Sequence, residues 1–114
     1  MKVPPIVVPK KKPPLEKASE ARLRKKIVEI GGISFKFQSQ NNRGVSDRIV
    51  LLNGDVYFVE MKREGITRLS SMQEIFKGTI LHHGCKFILV SGHNGVDRLI
   101  ADLKEENKIK EIYK

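Results

Sequence analysis

The spacing of hydrophobic positions changes several times along the chain, and each change marks a new element. Between Leu15 and Ile30, Leu23, Ile27 and Ile30 recur at intervals of four and three, and Gly31-Gly32 closes the pattern. That spacing predicts one face of a helix with a glycine stop. Ile33–Gln38 alternates Ile33, Phe35 and Phe37 with Ser34, Lys36 and Gln38, the period of a strand. A polar loop, Ser39–Gly44, leads to two apolar runs, roughly Ser46–Leu52 and Asp55–Lys62, joined by Asn53-Gly54. After a charged loop, Arg63–Leu69, Ser70 with Gln73 or Ser71 with Glu74 has capping-box spacing. A helix then runs to about His83 with Met72, Ile75, Phe76, Thr79 and Ile80 as its apolar face, and Gly84 ends it. Lys86–Ser91 is nearly all apolar, as a buried parallel strand would be. Gly92 to Gly95 reads as a loop, and Val96, Leu99, Ile100 and Leu103 define a last amphipathic helix.

The order α-β-β-β-α-β-α predicts an α/β domain over residues 15–107. A meander followed by a helical crossover gives a mixed four-stranded sheet flanked by helices. Residues 108–114 remain as a tail, or as a short strand through Ile109 and Ile112.

Asn-Gly between alternating apolar runs is a strong hairpin signal, because a type I′ turn needs positive φ at both central residues. With Asn53 and Gly54 as the loop, Leu52 faces Asp55, Leu51 faces Val56 and Ile49 faces Phe58. Continuing outward, Asp47 falls opposite Glu60, and Lys62 lies on the same face as Glu60. Directly opposed residues have Cα atoms only about 4.5–5.5 Å apart, and like charges there destabilise a hairpin. A divalent cation would compensate, since Mg²⁺ binds through one or two carboxylates plus water and substrate phosphate. The alternative is a solvated strand end. Against it, Val56, Phe58, Ile49 and Leu51 share the face with Glu60, and Tyr57, Val59 and Met61 make the other face apolar too. A three-residue loop would shift the register and separate the two acids.

Composition narrows the class. The chain has 114 residues, 39% hydrophobic and 31% charged, which suits one soluble domain. No apolar run approaches the roughly 18 residues of a membrane span, and prolines break Ile6-Val7-Val8, so a secretory signal is not expected. Cys85 is the single cysteine, excluding an intrachain disulfide; in the run Cys85–Val90 it reads as a small buried hydrophobe. An intracellular, cytoplasmic setting fits. The net charge is +9, of which residues 1–14 contribute +4, so the folded part is basic by itself. Such a balance favours polyanionic partners. All five prolines fall within the first 14 residues around Lys10-Lys11-Lys12. This is an extended arm that would either strap nucleic acid or a partner subunit, or serve as a solubilising tail.

The runs Gly44-Val45-Ser46-Asp47, Phe58-Val59-Glu60-Met61-Lys62 and Leu69-Ser70-Ser71-Met72-Gln73, with Gly84 before a strand, resemble the VRR-NUC (virus-type replication-repair nuclease) domain. That domain is a branch of the PD-(D/E)xK nucleases. The likeness spans roughly Glu20 to Ser91; Ser46 stands where the family often has proline. The resemblance implies a restriction-endonuclease-like αβββαβ core and a catalytic set of Glu20, Asp47, Glu60, Lys62 and Gln73. Asp47 and Glu60 would bind Mg²⁺ or Mn²⁺, with the Met61 carbonyl as a further ligand and Glu20 completing the acidic site, through water. Lys62 would orient or activate the attacking water. Glu20 also stands out on its own, as an acid on the apolar stripe of its helix; a wet first turn would explain it equally well.

Lys36, Arg43, Arg63 and Arg68 lie where they can contact phosphates, although each also reads as a solvated charge. His82, His83 and His93 lack the spacing of a zinc cluster with Cys85. The reading that follows is a metal-dependent DNA endonuclease. By resemblance to small standalone members it would act on branched DNA such as Holliday junctions, as a homodimer. A repair nuclease for flaps, nicks or ends is the second reading, and a non-catalytic nucleic-acid-binding protein the third.

Overall fold

The computed structural model describes residues 16–38 and 44–112, the last four by backbone only. The Pro/Lys-rich arm and Arg43 lie outside the described residues. The elements are α1 (Glu16–Glu29), β1 (Ile33–Lys36), β2 (Arg48–Leu52), β3 (Asp55–Lys62), α2 (Ser71–His82), β4 (Lys86–Ser91) and α3 (Gly92–Ile112). The sheet order is β1-β2-β3-β4, antiparallel except for the parallel β3–β4 pair that α2 connects. This is an α/β fold with a mixed four-stranded sheet between helices.

The hairpin register is set by its turn. Asn53 has φ 50° and Gly54 φ 83°, the two positive values that a type I′ turn demands. Leu52 pairs with Asp55, Leu51 with Val56 and Ile49 with Phe58, and the ladder ends at Arg48–Val59.

One face of the sheet is a sealed core. Val50, Leu52, Tyr57, Val59, Met61 and Val90 meet Leu23 and Ile27 of α1 and Val96, Leu99, Ile100 and Leu103 of α3, all buried. Removing this much apolar surface from water, at about 25 cal/mol per Å², is what holds the helices to the sheet. A bidentate ion pair from Arg22 to Asp97 (2.9 and 3.0 Å) and a Ser19–His93 hydrogen bond (3.0 Å) join α1 to α3. The other face is covered differently. There α2 lays Phe76 edge-on against Phe58 of β3 and Phe87 of β4, with ring centroids 5.7 and 6.3 Å apart. No residue of α2 is fully buried.

Four expectations are corrected. The residues assigned to a loop, Gly92–Gly95, already belong to α3, and the helix continues through the residues read as a tail or short strand to Ile112. Asn53 at the hairpin turn bonds Asn107, which ties the later turns of α3 to the β2–β3 turn. Cys85 is exposed rather than buried, because it directly follows the C-terminal turn of α2, where its N–H donates to the Ile80 carbonyl. In β1 the alternation is present but inverted relative to the usual rule: Ser34 is buried while Ile33 and Phe35 stand 45% and 48% exposed. The cause is Arg48, which occupies the helix-covered side and takes Ser34 as its partner.

Candidate active site at the end of the hairpin

Asp47 lies one residue before β2, where the ladder stops. Two contacts fix it. Its carbonyl accepts from the Phe37 N–H at 2.8 Å, and its Oδ1 accepts from the Met61 N–H at 3.1 Å. The carboxylate is therefore tied across to the strand that carries Glu60. Gly44, three residues earlier, has φ 81°, and a Cβ there would meet the Met72 backbone. Only glycine lets the loop lie this close to the first turn of α2.

Glu60 and Lys62 project from β3 toward α2, and Gln73 links them. The Gln73 Nε2 donates to Glu60 Oε2 at 2.9 Å, while its Oε1 accepts from Lys62 Nζ at 3.0 Å. The same oxygen accepts from the Ser70 N–H at 2.8 Å, and Ser70 Oγ accepts from the Gln73 N–H. Gln73 is thus both the third residue of a capping box and the brace of the site. The Ser70–Gln73 alternative for the cap is the one realised. The N-terminus of α2 also brings its partial positive charge to this cluster.

The electrostatics are strained. Burial pushes the Asp47 carboxyl up to about 6, against the lowering pull of the Met61 N–H, with the charges of Glu20 and Glu16 adding to the rise. Glu60 is pushed up to about 7, by burial first and then by the Asp47 charge, with Lys62 opposing. Lys62 Nζ stands 3.8 Å from Glu60 Oε2. The second oxygen, Glu60 Oε1, is buried with no hydrogen-bond partner. An ionised oxygen in that state is costly.

These features fit a hard divalent cation. Two neighbouring carboxylates held above their ordinary range and one unsatisfied carboxylate oxygen are what a cation would relieve. Among the described residues no three His, Cys, Asp or Glu form a metal cluster. The fit is therefore to an ion that keeps water or phosphate oxygens in most of its shell, as Mg²⁺ does.

The remaining expected residues sort as follows. Glu20 projects from α1 and accepts from Arg48 Nη1 at 3.1 Å. It is near enough to raise Asp47, but its carboxylate is engaged by arginine. Met61 buries its side chain in the core on the opposite face and offers its backbone to Asp47. Lys36, Arg63 and Arg68 are exposed, and the Arg63 carbonyl accepts from Ser91 Oγ at 2.8 Å.

Arg48 was missed. It is 4% exposed and donates through Nε to Ser34 Oγ at 2.8 Å as well as to Glu20. The signal was available: a lone arginine heading the run Arg48-Ile49-Val50-Leu51-Leu52 on a covered strand needs an acid, and Glu20 was the acid without a reason.

No protein-family model matches the chain. A solved structure described as a VRR_NUC domain superposes on it with a TM-score of 0.70 at 24% identity, covering 75% of this chain and 94% of that one. A curated protein named "Putative nuclease p44", from Acyrthosiphon pisum secondary endosymbiont phage 1, is 47% identical over 51 residues, or 44% of this chain. The chain spans about half the length of that relative, 55%. The architecture of this chain is therefore the restriction-endonuclease-like fold of the VRR_NUC domain.

Proposed function

We propose that the chain is a nuclease that hydrolyses phosphodiester bonds of DNA with Mg²⁺ or Mn²⁺. The observation that carries this is a Glu60 whose Oε1 is buried and unpartnered, close enough to Asp47 to feel its charge and braced beside Lys62 by Gln73. The phage relative named as a nuclease supports the same reading.

Asp47 and Glu60 would hold the cation, with the Met61 carbonyl beside them and Glu20 contributing through water. When bound, the cation would lower the pKa of water and neutralise charge on the phosphate. Lys62 has three N–H donors, one of them given to Gln73. The rest can hold a phosphoryl oxygen or the attacking water as negative charge builds on phosphorus. Gln73 fixes the spacing between acid and base without itself reacting. Attack by water breaks one P–O bond, leaving a phosphate monoester and an alcohol.

The basic surface, with Lys36, Arg63 and Arg68 exposed, supplies sequence-independent phosphate contacts, and Arg43, four positions before Asp47 in the sequence, adds a further basic charge. That suits recognition of DNA shape. We assign branched DNA such as a four-way junction as the substrate, cut by a homodimer with paired sites. Flaps, nicks or ends are the second reading.

A nicking assay on a four-way junction and a linear duplex tests this. Cutting of the junction in Mg²⁺ or Mn²⁺, abolished by Asp47→Ala or Glu60→Ala, is the expected result. Lys62→Ala should stop cutting and leave junction binding intact. Cleavage of linear DNA at its ends would replace the junction reading with the second one. Binding without cutting in either metal would overturn the nuclease.

A further inference from the structure

The sheet is open beside the acids. On the face that carries Glu60 and Lys62, α2 covers β3 and β4 through Phe76, while β1 and β2 have no helix above them among the described residues. The register aligns Phe35, Ile49 and Phe58 in one cross-strand row and Ile33, Leu51 and Val56 in the next. Phe35 is 48% exposed, and Leu51 and Val56 are 37% and 41% exposed. The outer strand here is β1. Its next residue, Lys36, is exposed, and the Phe37 N–H that follows donates to the Asp47 carbonyl at 2.8 Å. An edge strand bearing a half-exposed aromatic ring is thus tied directly to one of the two acids.

We propose that this face binds unpaired nucleobases of a DNA strand, with one base stacked on the Phe35 ring. Two arguments select that occupant. The first is chemistry. An unpaired strand offers apolar base faces strung along a line of negative charge. The patch offers the complement: an exposed aromatic ring with aliphatic neighbours, no charged residue in either row, and a chain of net charge +9 around it. A duplex keeps its base faces stacked on one another and would meet only the charge. Stacking on an aromatic ring is tolerant of sequence, because every base has a π-face. The second is position. Phe35 lies two strand spacings from β3 and, along the strand direction, two residues from Glu60. At about 4.8 Å per strand and 3.4 Å per residue, that is roughly 12 Å. Such a span matches about three to four stacked nucleotides at ~3.4 Å each. A strand held at the acids therefore reaches Phe35 without crossing the half of the sheet that α2 covers.

The consequence for substrate choice rests on the nuclease reading, although the binding face itself does not. A strand that lays unpaired bases on β1 and β2 while presenting a phosphate to Asp47 and Glu60 is one that opens beside a branch, a flap or a splayed end. Continuous duplex gives Phe35 nothing to stack on. The face would then select DNA by the presence of unpaired bases, with no base edge read.

The chain has no tryptophan, so Phe35→Trp installs a single indole reporter on this face. Titrations in EDTA, where no metal-dependent cutting occurs, use a splayed-arm DNA with unpaired thymidines and a blunt duplex of equal length. At saturation the splayed arm should quench the indole and the duplex should not. Val28→Trp is the control, because Val28 is 60% exposed on α1 and away from this face; neither DNA should quench it. In fluorescence anisotropy, Phe35→Ala should weaken binding of the splayed arm at least about fivefold, the low end for one stacked base, and that of the duplex by less than about twofold. Circular dichroism and the thermal transition should be retained, since the ring is already half exposed. Absence of quenching, or equal weakening for both DNAs, overturns the proposal. So does a Phe35→Ala chain with half the wild-type mass in gel filtration, which would give the face to a second copy. Quenching by the splayed arm in a chain that never cuts with Mg²⁺ or Mn²⁺ keeps this inference and removes the nuclease. Cutting without quenching does the reverse.

Discussion

The Gln73 amide nitrogen donates to Glu60 Oε2 at 2.9 Å, from the third residue of a helix whose cap that same side chain completes. One residue therefore couples the start of α2 to the geometry of the site, and its two roles can be separated. Ser70→Ala removes the cap's hydroxyl acceptor and should cost about 1 kcal/mol of stability while cutting persists. Gln73→Ala should cost a similar amount and, in addition, lower kcat at least tenfold, because Glu60 and Lys62 lose their common brace. Urea denaturation and single-turnover rates on the two variants make the comparison. Equal loss of rate in both would mean that Gln73 acts only through the helix.

Asp47 at about 6 and Glu60 at about 7 lie above their unfolded values near 4. Between those limits the folded chain holds more protons than the unfolded one, so stability falls as pH rises through this window. Without divalent metal the protein should be more stable at pH 5 than at pH 8 as far as these two groups contribute. A bound cation needs the ionised forms and should reverse that loss. At ten times its dissociation constant, Mg²⁺ should raise Tm by roughly 5 °C at pH 8, by much less at pH 5, and EDTA should abolish the rise. Thermal scans at the two pH values check it. An equal rise at both would place the ion elsewhere.

Arg48 and Glu20 form a pair in which the arginine side chain is 5% exposed and the acid 20%. Breaking it leaves a charge without its partner, so Arg48→Met should destabilise the fold by about 3 kcal/mol. Glu20→Gln distinguishes a structural acid from a reacting one. Because Glu20 both holds Arg48 and, in the proposed reaction, contributes to the ion through water, the variant should lose stability and need more Mg²⁺ for half-maximal rate; an unchanged dependence would make the acid structural alone.

The hairpin was legible because its information is local. Asn53-Gly54 sets the turn, and the turn sets the register out to Arg48–Val59, the pair adjoining Asp47 and Glu60, without knowledge of any other element. The Ser70–Gln73 cap was legible for the same reason. What escaped was tertiary. Phe35 and Ser34 alternate as a strand should, but which side is covered depends on α1 bringing Glu20 to Arg48, 28 residues away in sequence. For Gln73 the residues alone indicate a cap, and only the resemblance placed it in the site; the contact with Glu60 depends on α2 crossing over β3 and β4. Cys85 carries the composition of a core position, and only the end of α2 places it outside.

Two glycines predict opposite outcomes from the same substitution. Gly78 lies in the interior of α2 with no atom within 4 Å of an added Cβ. Alanine there removes backbone freedom from the unfolded chain and should stabilise by about 0.5–1 kcal/mol, with cutting unchanged. Gly44 has φ 81°, and its Cβ would fall 2.4 Å from the Met72 carbonyl carbon. Alanine must therefore push the loop before Asp47 away from the first turn of α2, where Gln73 braces Glu60. Gly44→Ala should destabilise by about 2 kcal/mol and reduce the rate beyond what the unfolded fraction explains, since Asp47 moves with the loop. Rates measured well below each variant's own Tm separate the two effects. Full activity in Gly44→Ala would show that the contact with Met72 does not position Asp47.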